Sequence, residues 1–383
     1  MDHLSTDVGT LGRATALYPL ISGEAEAAER LGRLTDPVAD ALLHTGLLSI
    51  LVPETHGGLG GGRLDFFDAV EEIARADGSA GWCASVCNAI NHTAFLGLPA
   101  EGREELFGDG PVACWTALAP NAAATPEAGG YRVSCAGAFG SGSSLSRWVL
   151  VAGNTGGPGE GRYRAFLVPK VEAQIKAGSW DVMGLRATAS IDYVISDRFV
   201  PARRTWEYAW SAKAGGGPLS AIDAARLNAV GLAGFAAGVA RRALSELIVS
   251  AKKTRRTVSE GFMADDPVVQ LGVGELDGRL RAARSHLASL VRAMDERAAA
   301  GRDAGFEDGL AVSQACLTLA RASREMVIFA FDYAGTSAIY ARQPLQRCLR
   351  DIFTGLKHAS FTPALLGRIG KVQLGLPFGG APL

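Results

Sequence analysis

The spacing of apolar residues changes twice along this chain of 383 residues, and these changes constrain its fold more than any other feature. Up to about residue 110 the apolar residues recur at three- to five-residue steps, which is typical of helices. From residue 112 to 200 they form short runs between Gly, Pro and Asn clusters, as strands do. From residue 220 the helical spacing returns. The sequence therefore predicts an α+β protein with an N-terminal helical domain (1–112), a middle antiparallel β-sheet or small barrel domain (113–205) and a C-terminal four-helix bundle (206–383).

Prolines and glycines indicate where several helices begin and how closely they pack. Pro37, Pro344 and Pro363 each suit the first turn of a helix. A long helix is predicted from residue 226 to 253, and its glycines at steps of three and four residues would let another helix approach closely. In the next helix, residues 268–297, the apolar side chains form a narrow seam, as in a helical bundle.

Two segments of the N-terminal part are predicted as helices with different environments. In residues 64–76 the apolar side chains are expected to face the core, while Glu71, Glu72 and Arg75 face water. Residues 78–100 carry no charge, but they include Asn88, Asn91 and His92. We therefore expect a buried helix there and not a membrane span.

The overall charge and the cysteine pattern exclude several classes of protein. Lysine plus arginine (38) nearly cancels aspartate plus glutamate (39), for a net charge of −1. Nucleic acid and membrane partners are therefore not expected. The six cysteines form no CxxC pair, and no secretory signal is apparent, so a reduced, cytoplasmic protein is predicted.

Residues 180–201 combine a tight, glycine-containing turn with a strand. Gly184 and the small residues 187–190 interrupt the alternation and let a backbone approach closely. The second half alternates as a strand does, and Pro201 ends its pairing. A turn held by a strand is a common support for a ligand site, although a plain bend at a sheet edge fits the same residues.

The run Phe139-Gly140-Ser141-Gly142-Ser143-Ser144 offers open backbone and three hydroxyl groups. Such groups suit a flavin ring, whose polar edge needs a few well-placed hydrogen-bond partners. Turn propensity alone favours a polar hairpin. A metal site at Cys83, Cys87 and His92 is not expected, because no further ligand is close in sequence and buried helical cysteines are common.

The C-terminal run Pro344-Leu345-Gln346-Arg347-Cys348-Leu349-Arg350-Asp351 is followed by His358. By itself it fits a surface set of ion pairs and a structural histidine. No P-loop, nucleophile elbow, HExxH or zinc-finger spacing is present, and the glycine loop at residues 51–62 follows a helix and lacks the dinucleotide-binding context.

These motifs together resemble the acyl-CoA dehydrogenase superfamily over almost the whole chain. The resemblance lies in the loop at residues 51–62, the turn and strand at 180–201, and the Arg-x-x-Arg-Asp run at 347–351. The run at residues 139–144 and the later His358 are similar to its flavin-dependent monooxygenase branch, such as the oxygenase component of two-component 4-hydroxyphenylacetate-type hydroxylases. Two positions depart from that branch: Cys135 replaces the usual Gly, and Gly137 replaces the usual Trp or Phe.

The dehydrogenases of the superfamily need a glutamate that removes a proton next to a thioester carbonyl. Their usual motif position for it corresponds to Arg342, and an alternative position to the step Ala225-Arg226. Neither holds a carboxylate, and arginine cannot act as a base at neutral pH. This absence favours the monooxygenase branch, while Asp223 keeps a dehydrogenase or FAD oxidase with a displaced base as the alternative. A third alternative is a scaffold that binds no flavin.

The resemblance implies a reduced-flavin-dependent monooxygenase that hydroxylates an aromatic or heteroatom-containing small molecule through a flavin C4a-hydroperoxide. It implies FMNH2 or FADH2 and O2 as cofactors, a separate flavin reductase, and a homotetramer whose flavin site borrows from a neighbouring subunit. Catalytic candidates are His358, His92 and Ser143. Cofactor-binding candidates are Trp115, Thr116, Ala117, Phe139, Ser141, Gly142, Ser143, Trp180, Thr188 and Arg256.

Overall fold

The computed structural model describes residues 9–108, 112–115, 122–155, 163–208, 224–255, 261–302 and 305–378. Among these residues, five helices precede a sheet and five follow it. The first five are α1 (Thr10–Leu31), α2 (Asp36–His44), α3 (Arg63–Ala76), α4 (Gly78–Gly97) and α5 (Ala100–Phe107). The others are α6 (Ala224–Lys253), α7 (Pro267–Ala299), α8 (Phe306–Tyr333), α9 (Pro344–Gly355) and α10 (Pro363–Gln373).

The helix starts predicted from proline are confirmed. Pro37, Pro344 and Pro363 each lie in the first turn of a helix, where the missing N–H leaves no bond unmade. The uncharged helix α4 is confirmed as well. Asp77 caps it by accepting the Ala80 N–H at 2.9 Å, and most of its length is buried. None of the helices in the described ranges combines the length and apolar content that a bilayer crossing requires.

The expectation that Glu71 and Glu72 face water was wrong. Their exposed fractions are 1% and 5%, because arginines from two other helices reach them. Arg241 of α6 donates to Glu71 at 3.1 Å, and Arg284 of α7 donates to it at 2.6 Å. These charges are buried because they are paired across three helices, which the amphipathic pattern of α3 alone cannot reveal.

The sheet contains eight strands in the described residues. They are β1 (Cys114–Trp115), β2 (Ala122–Glu127), β3 (Gly130–Gly140), β4 (Trp148–Asn154), β5 (Tyr163–Pro169), β6 (Gln174–Lys176), β7 (Ile191–Pro201) and β8 (Thr205–Glu207). Their order is β6-β7-β3-β2-β4-β5-β8, with β1 also paired to β4.

The sheet is mixed, so the predicted antiparallel sheet was wrong in this respect. Both β1 and β2 pair with β4 in parallel. The chain reverses direction between β2 and β3 and again between β3 and β4. Because β4 lies beside β2 and not beside β3, β2 and β4 point the same way. The other pairs are antiparallel.

The helices before and after the sheet share one hydrophobic core. Helix α6 packs against α3, α4, α8 and α9. A Cβ atom at Gly231 would overlap the Phe66 ring, and one at Gly238 would overlap the Glu71 carbonyl. The predicted close approach at these glycines is therefore confirmed. The domain boundaries at 112/113 and 205/206 stay a prediction.

Candidate flavin site

A cavity of about 1150 Å³ lies where the helices meet the sheet. Helix α4 contributes Trp82, Val86 and Ile90, and the last part of β3 contributes residues 136–139. The turn before β7, the start of α6 and the segment from α9 to α10 form the remaining walls. The volume exceeds that of many single-ligand pockets, and most lining side chains are apolar.

A row of hydroxyl groups runs along one wall of the cavity. Ser141 Oγ lies 2.6 Å from Ser190 Oγ, which in turn lies 2.6 Å from Thr188 Oγ1. Trp82 Nε1 donates to Ser141 Oγ at 3.0 Å, and Thr188 Oγ1 donates to the Leu185 carbonyl at 2.8 Å. Ser141 and Ser190 line the cavity, whereas Thr188 is fully buried behind the wall.

The two ends of this row fix the direction of every hydrogen bond in it. Each hydroxyl has one proton to donate. Thr188 gives its proton to the Leu185 carbonyl, so it must accept from Ser190, and Ser190 must accept from Ser141. Ser141 then accepts from Trp82. The protons of Ser141 and Ser190 are therefore already used, and both side chains offer only oxygen lone pairs to a ligand.

The backbone at the end of β3 brings Ser141 to this place. Phe139 has a φ of 59°, and Gly142 has a φ of 79°, where glycine avoids strain. The Gly142 N–H donates to the Thr188 carbonyl at 2.8 Å, which joins the end of β3 to the turn before β7. The Phe139 ring then points out to the cavity rim, 71% exposed, and meets the Trp180 ring edge-on at 6.1 Å.

His358 lies on the helical side of the same cavity. Its ring is 5.9 Å from the Trp82 ring in an edge-to-face arrangement. Burial in these surroundings lowers the pKa of His358 to about 4, so the ring is neutral at pH 7. The Ser360 N–H donates to Nδ1 at 3.2 Å, which places the proton of the neutral ring on Nε2. His358 is therefore a hydrogen-bond donor through Nε2.

Charged groups at the cavity wall are mostly cationic. Arg226 lies at the start of α6, against Gly309 of α8, where a Cβ atom would come within 2.7 Å of its guanidinium group. Lys357 also lines the cavity, and Lys176 pairs in register with Asp192. Among the lining residues that the structure describes, Asp192 is the one carboxylate. The step Ala225-Arg226, the alternative position for a dehydrogenase base, lies at the cavity wall and provides no carboxylate.

Comparison with known proteins agrees with this arrangement. Residues 20–100 match the family described as acyl-CoA dehydrogenase, N-terminal domain, and residues 230–363 match acyl-CoA dehydrogenase, C-terminal domain. The oxygenase subunit HsaA of a flavin-dependent monooxygenase from Mycobacterium tuberculosis is 30% identical over 95% of this chain and 94% of its own length. The chain belongs to the flavin-dependent monooxygenase branch of the acyl-CoA dehydrogenase superfamily.

Two further relatives support the assignment to this branch. The oxygenase component of an FADH(2)-dependent resorcinol hydroxylase from Rhizobium sp. is 29% identical and covers 96% of this chain and 95% of its own. The crystal structure of 3-HSA hydroxylase from Rhodococcus sp. RHA1 is 27% identical, with a TM-score of 0.90 and coverage of 98% of both chains. The predicted superfamily and branch are thus confirmed.

The cavity of this monooxygenase-family protein fits a reduced flavin by the chemistry of its walls. A reduced flavin presents ring N–H groups, and the row from Trp82 to Thr188 offers acceptors to such donors at Ser141 and Ser190. Apolar rings at Trp82, Phe139 and Trp180 suit a flat aromatic ligand. In the described part of the chain, no cluster of three or more His, Cys, Asp or Glu residues is arranged to hold a metal ion.

Several predicted site residues of this family member lie away from the cavity wall. Ser143 donates to the Ala189 carbonyl at 2.7 Å, and its hydroxyl is buried behind the wall with Thr188. Gly142 belongs to the same turn and does not line the cavity. His92 is buried on α4, with Nδ1 3.3 Å from the Leu51 carbonyl oxygen, and does not line the cavity either.

Other predicted residues lie partly or wholly outside the described residues. Trp115 is in β1, paired in parallel with Val149 of β4. Thr116, Ala117 and Arg256 fall in undescribed ranges, as does Asp223, the candidate for a displaced base. Their roles stay predictions.

Sequence reasoning missed Trp82 as a member of the site. Helix α4 is apolar on all sides, so its sequence has no preferred face that would direct attention to one residue. Trp82 nevertheless contacts both Ser141 and His358. Ser190 was noted only as a small residue, and its hydroxyl is recognised as part of the site through its distances to Ser141 and Thr188.

The structure also explains why position 137 holds a glycine and not a large side chain. It lines the cavity, and a Cβ atom there would overlap the ring of Tyr193 on the neighbouring strand β7. The registered partner of Gly137 in β7 is Tyr193 itself. The buried Tyr193 ring thus fills the space beside Gly137, and a large side chain at that position requires Tyr193 to move.

Proposed function

We propose that this protein is the oxygenase component of a two-component monooxygenase, using FMNH2 or FADH2 from a separate reductase to hydroxylate an aromatic or heteroatom-containing small molecule. The observation that carries the proposal is the cavity wall, where hydroxyl acceptors and aromatic rings face a space of about 1150 Å³. Ala225 and Arg226, at the alternative position for a dehydrogenase base, line this wall and carry no carboxylate.

The residues of the wall have distinct roles in this proposal. A bound reduced flavin supplies the electrons that activate oxygen. Ser141, oriented by Trp82 and Ser190, accepts a ring N–H and holds that proton in place. Phe139 and Trp180 cover the ring and exclude water. His358 donates from Nε2 to an oxygen atom of the substrate or of the activated oxygen.

The direct test supplies the protein with chemically reduced FMN or FAD, without a reductase, and then adds oxygen with a panel of phenols and indoles. We expect one substrate to gain a single oxygen atom, and labelled oxygen gas, not labelled water, to be its source. The amount of product should be proportional to the amount of protein, so that leaving the protein out abolishes it. Reduced flavin that binds but yields hydrogen peroxide with every aromatic substrate would contradict the proposal.

The same preparation tests the alternative functions. Anaerobic bleaching of bound oxidised FAD by an acyl-CoA thioester would indicate a dehydrogenase with a displaced base such as Asp223. Failure to bind either oxidised or reduced flavin would indicate a scaffold that retains only the fold. Neither result is expected, since the described cavity wall at the start of α6 holds no carboxylate and the hydroxyl row is intact.

We further propose a cytoplasmic homotetramer in which α6 to α9 pack as a four-helix bundle that joins the subunits. Support comes from apolar side chains that the single chain leaves exposed on α6 and α7. Val249, Val268 and Leu271 are 49%, 52% and 71% exposed. Side chains of this kind on neighbouring helices are suited to burial against other subunits.

A further inference from the structure

The turn before β7 contains a strained residue that borders the cavity. Leu185 has a φ of 55°, which side-chain-bearing residues rarely adopt. Among the described residues, four non-glycine residues have a positive φ, and Phe139 and Leu185 both line the cavity. Such strain persists only where neighbouring contacts hold the backbone in place.

The main chain of Leu185 is held on both sides. Its N–H donates to Asp351 Oδ1 at 2.6 Å. Its carbonyl oxygen accepts from Trp180 Nε1 at 3.0 Å and from Thr188 Oγ1 at 2.8 Å. Trp180 lines the cavity, and Thr188 is the end of the hydroxyl row that leads to Ser141.

Asp351 does not line the cavity, but its position on α9 is tightly defined. A Cβ atom at Gly184 would overlap the Arg350 carbonyl, so the turn lies directly on the helix backbone. A Cβ atom at Gly78 would come within 2.7 Å of Asp351 Oδ2. Arg350 donates to the Met183 carbonyl at 2.7 Å, which fixes the same turn from its other side.

Several charged groups surround Asp351 in the protein interior. Asp77 and Arg347 face it from α4 and α9, and Glu29 of α1 pairs with Arg347 and Arg350. Burial, followed by the charge of Asp77, raises the pKa of Asp351 to about 7. Whether Asp351 is ionised or protonated, one of its carboxyl oxygens can accept the Leu185 N–H. The side-chain oxygen of an asparagine at position 351 can accept the same hydrogen bond.

We propose that Asp351 is a positioning residue for the flavin site: by binding the Leu185 N–H, it holds the turn that orients Trp180 and the hydroxyl row ending at Ser141. The role in flavin binding rests on the function proposed above. The role in orienting Trp180 does not, because it is a property of the protein without ligand.

The test compares Asp351→Ala with Asp351→Asn and with the control Asp77→Ala. The control removes a buried carboxylate of the same charged cluster, one that caps α4 and has no hydrogen bond to the turn. The first readout is the near-ultraviolet circular dichroism of the ligand-free protein. The contribution of Trp180 is defined by subtracting the spectrum of Trp180→Phe from that of the wild type. The second readout is the Kd for reduced flavin, measured anaerobically.

We expect Asp351→Ala to lose the Trp180 contribution and to raise the Kd for reduced flavin about tenfold, as loss of a buried hydrogen bond does. Asp351→Asn should retain both properties. Asp77→Ala should keep the Trp180 contribution even if its unfolding temperature falls. A Trp180 contribution that survives in Asp351→Ala, or that disappears equally in Asp77→Ala, would overturn the proposal.

Two further results keep the test decisive. If the wild type does not bind reduced flavin, the proposed function fails, while the Trp180 comparison still decides the positioning role. If Asp351→Ala does not fold, hydrogen exchange of the wild type provides the answer. We expect the amide hydrogen of Leu185 to exchange as slowly as those of buried residues in β7. A Leu185 amide that exchanges as fast as the amide of Gly178, in an exposed turn, would overturn the proposal.

Discussion

At the scale of single residues, Ser141 and Ser143 differ in what their hydroxyl groups contact. Ser141 receives the Trp82 N–H and has an oxygen lone pair available at the cavity wall. Ser143 donates to the Ala189 carbonyl behind that wall. The register of the turn therefore favours Ser141 as the serine that contacts a flavin, although the sequence alone left the choice open.

This difference gives the first prediction. Ser141→Ala should increase the release of hydrogen peroxide relative to hydroxylated product by about tenfold, because a buried hydrogen bond contributes about 1–3 kcal/mol. Ser143→Ala should mainly lower the free energy of unfolding, by about 1 kcal/mol, and leave that ratio unchanged. The measurement is the peroxide-to-product ratio with reduced flavin and substrate. If Ser143→Ala alone raised the peroxide-to-product ratio, Ser143 and not Ser141 would be the serine that contacts the flavin.

His358 gives a prediction about pH. Burial lowers its pKa to about 4, whereas the unfolded chain has a value near 6.5. Between these values the unfolded state binds a proton that the folded state does not, so folding stability falls as the pH falls through this window. The His358→Gln variant should therefore lose less folding stability than the wild type when the pH falls from 7 to 5. The measurement is the urea midpoint at pH 7 and pH 5, with His44→Gln, at an exposed histidine, as the control. Equal pH dependence in the wild type and His358→Gln would contradict the assignment.

At the scale of elements, the same substitution should act differently in two helices. Gly231 of α6 lies against Phe66, and an added Cβ atom has no room. Gly23 of α1 has open space around it. Gly231→Ala should lower the free energy of unfolding by about 1–3 kcal/mol through overpacking. Gly23→Ala should raise it by about 0.5–1 kcal/mol through the better helix propensity of alanine. Urea unfolding measures both, and stabilisation by Gly231→Ala would contradict the close packing of α3 and α6.

The elements also show what the sequence could predict and why the rest required the structure. Helix starts at Pro37, Pro344 and Pro363 follow from local chemistry, and all three are confirmed. The parallel pairing of β2 with β4 depends on which strand lies beside which, and spacing along the chain does not encode that. The strands β6 and β8 have three residues each, too few for alternation to appear.

The same distinction applies to the site. Ser141 and His358 belong to short motifs that resemblance singles out, and both line the cavity. His92 lies on a helix whose sequence offers no preferred face, and the fold turns it toward the Leu51 carbonyl. Trp82, three turns earlier on the same helix, is the residue that reaches the cavity. Only the packing of α4 against the other elements distinguishes them.

At the scale of the whole molecule, the cavity exists only when all three parts of the chain are assembled. Its walls come from helices before the sheet, from the sheet, and from helices after it. The helices on either side of the sheet share one core in which α6 packs on α3. We therefore expect the site to be lost together with the overall fold, and not domain by domain.

The proposed homotetramer gives the last prediction. Light scattering at micromolar concentration should return about four times the chain mass of 39.9 kDa. Leu271→Glu, at a 71% exposed position on α7, should lower that mass, because a buried charge without a partner opposes association. Val171→Glu is the matched control, since Val171 is 93% exposed but lies next to the sheet and not on the helices proposed to join the subunits. Both variants should keep the helical circular dichroism of the wild type. A wild-type mass of one chain would contradict the tetramer, and an unchanged mass in Leu271→Glu would place the interface elsewhere.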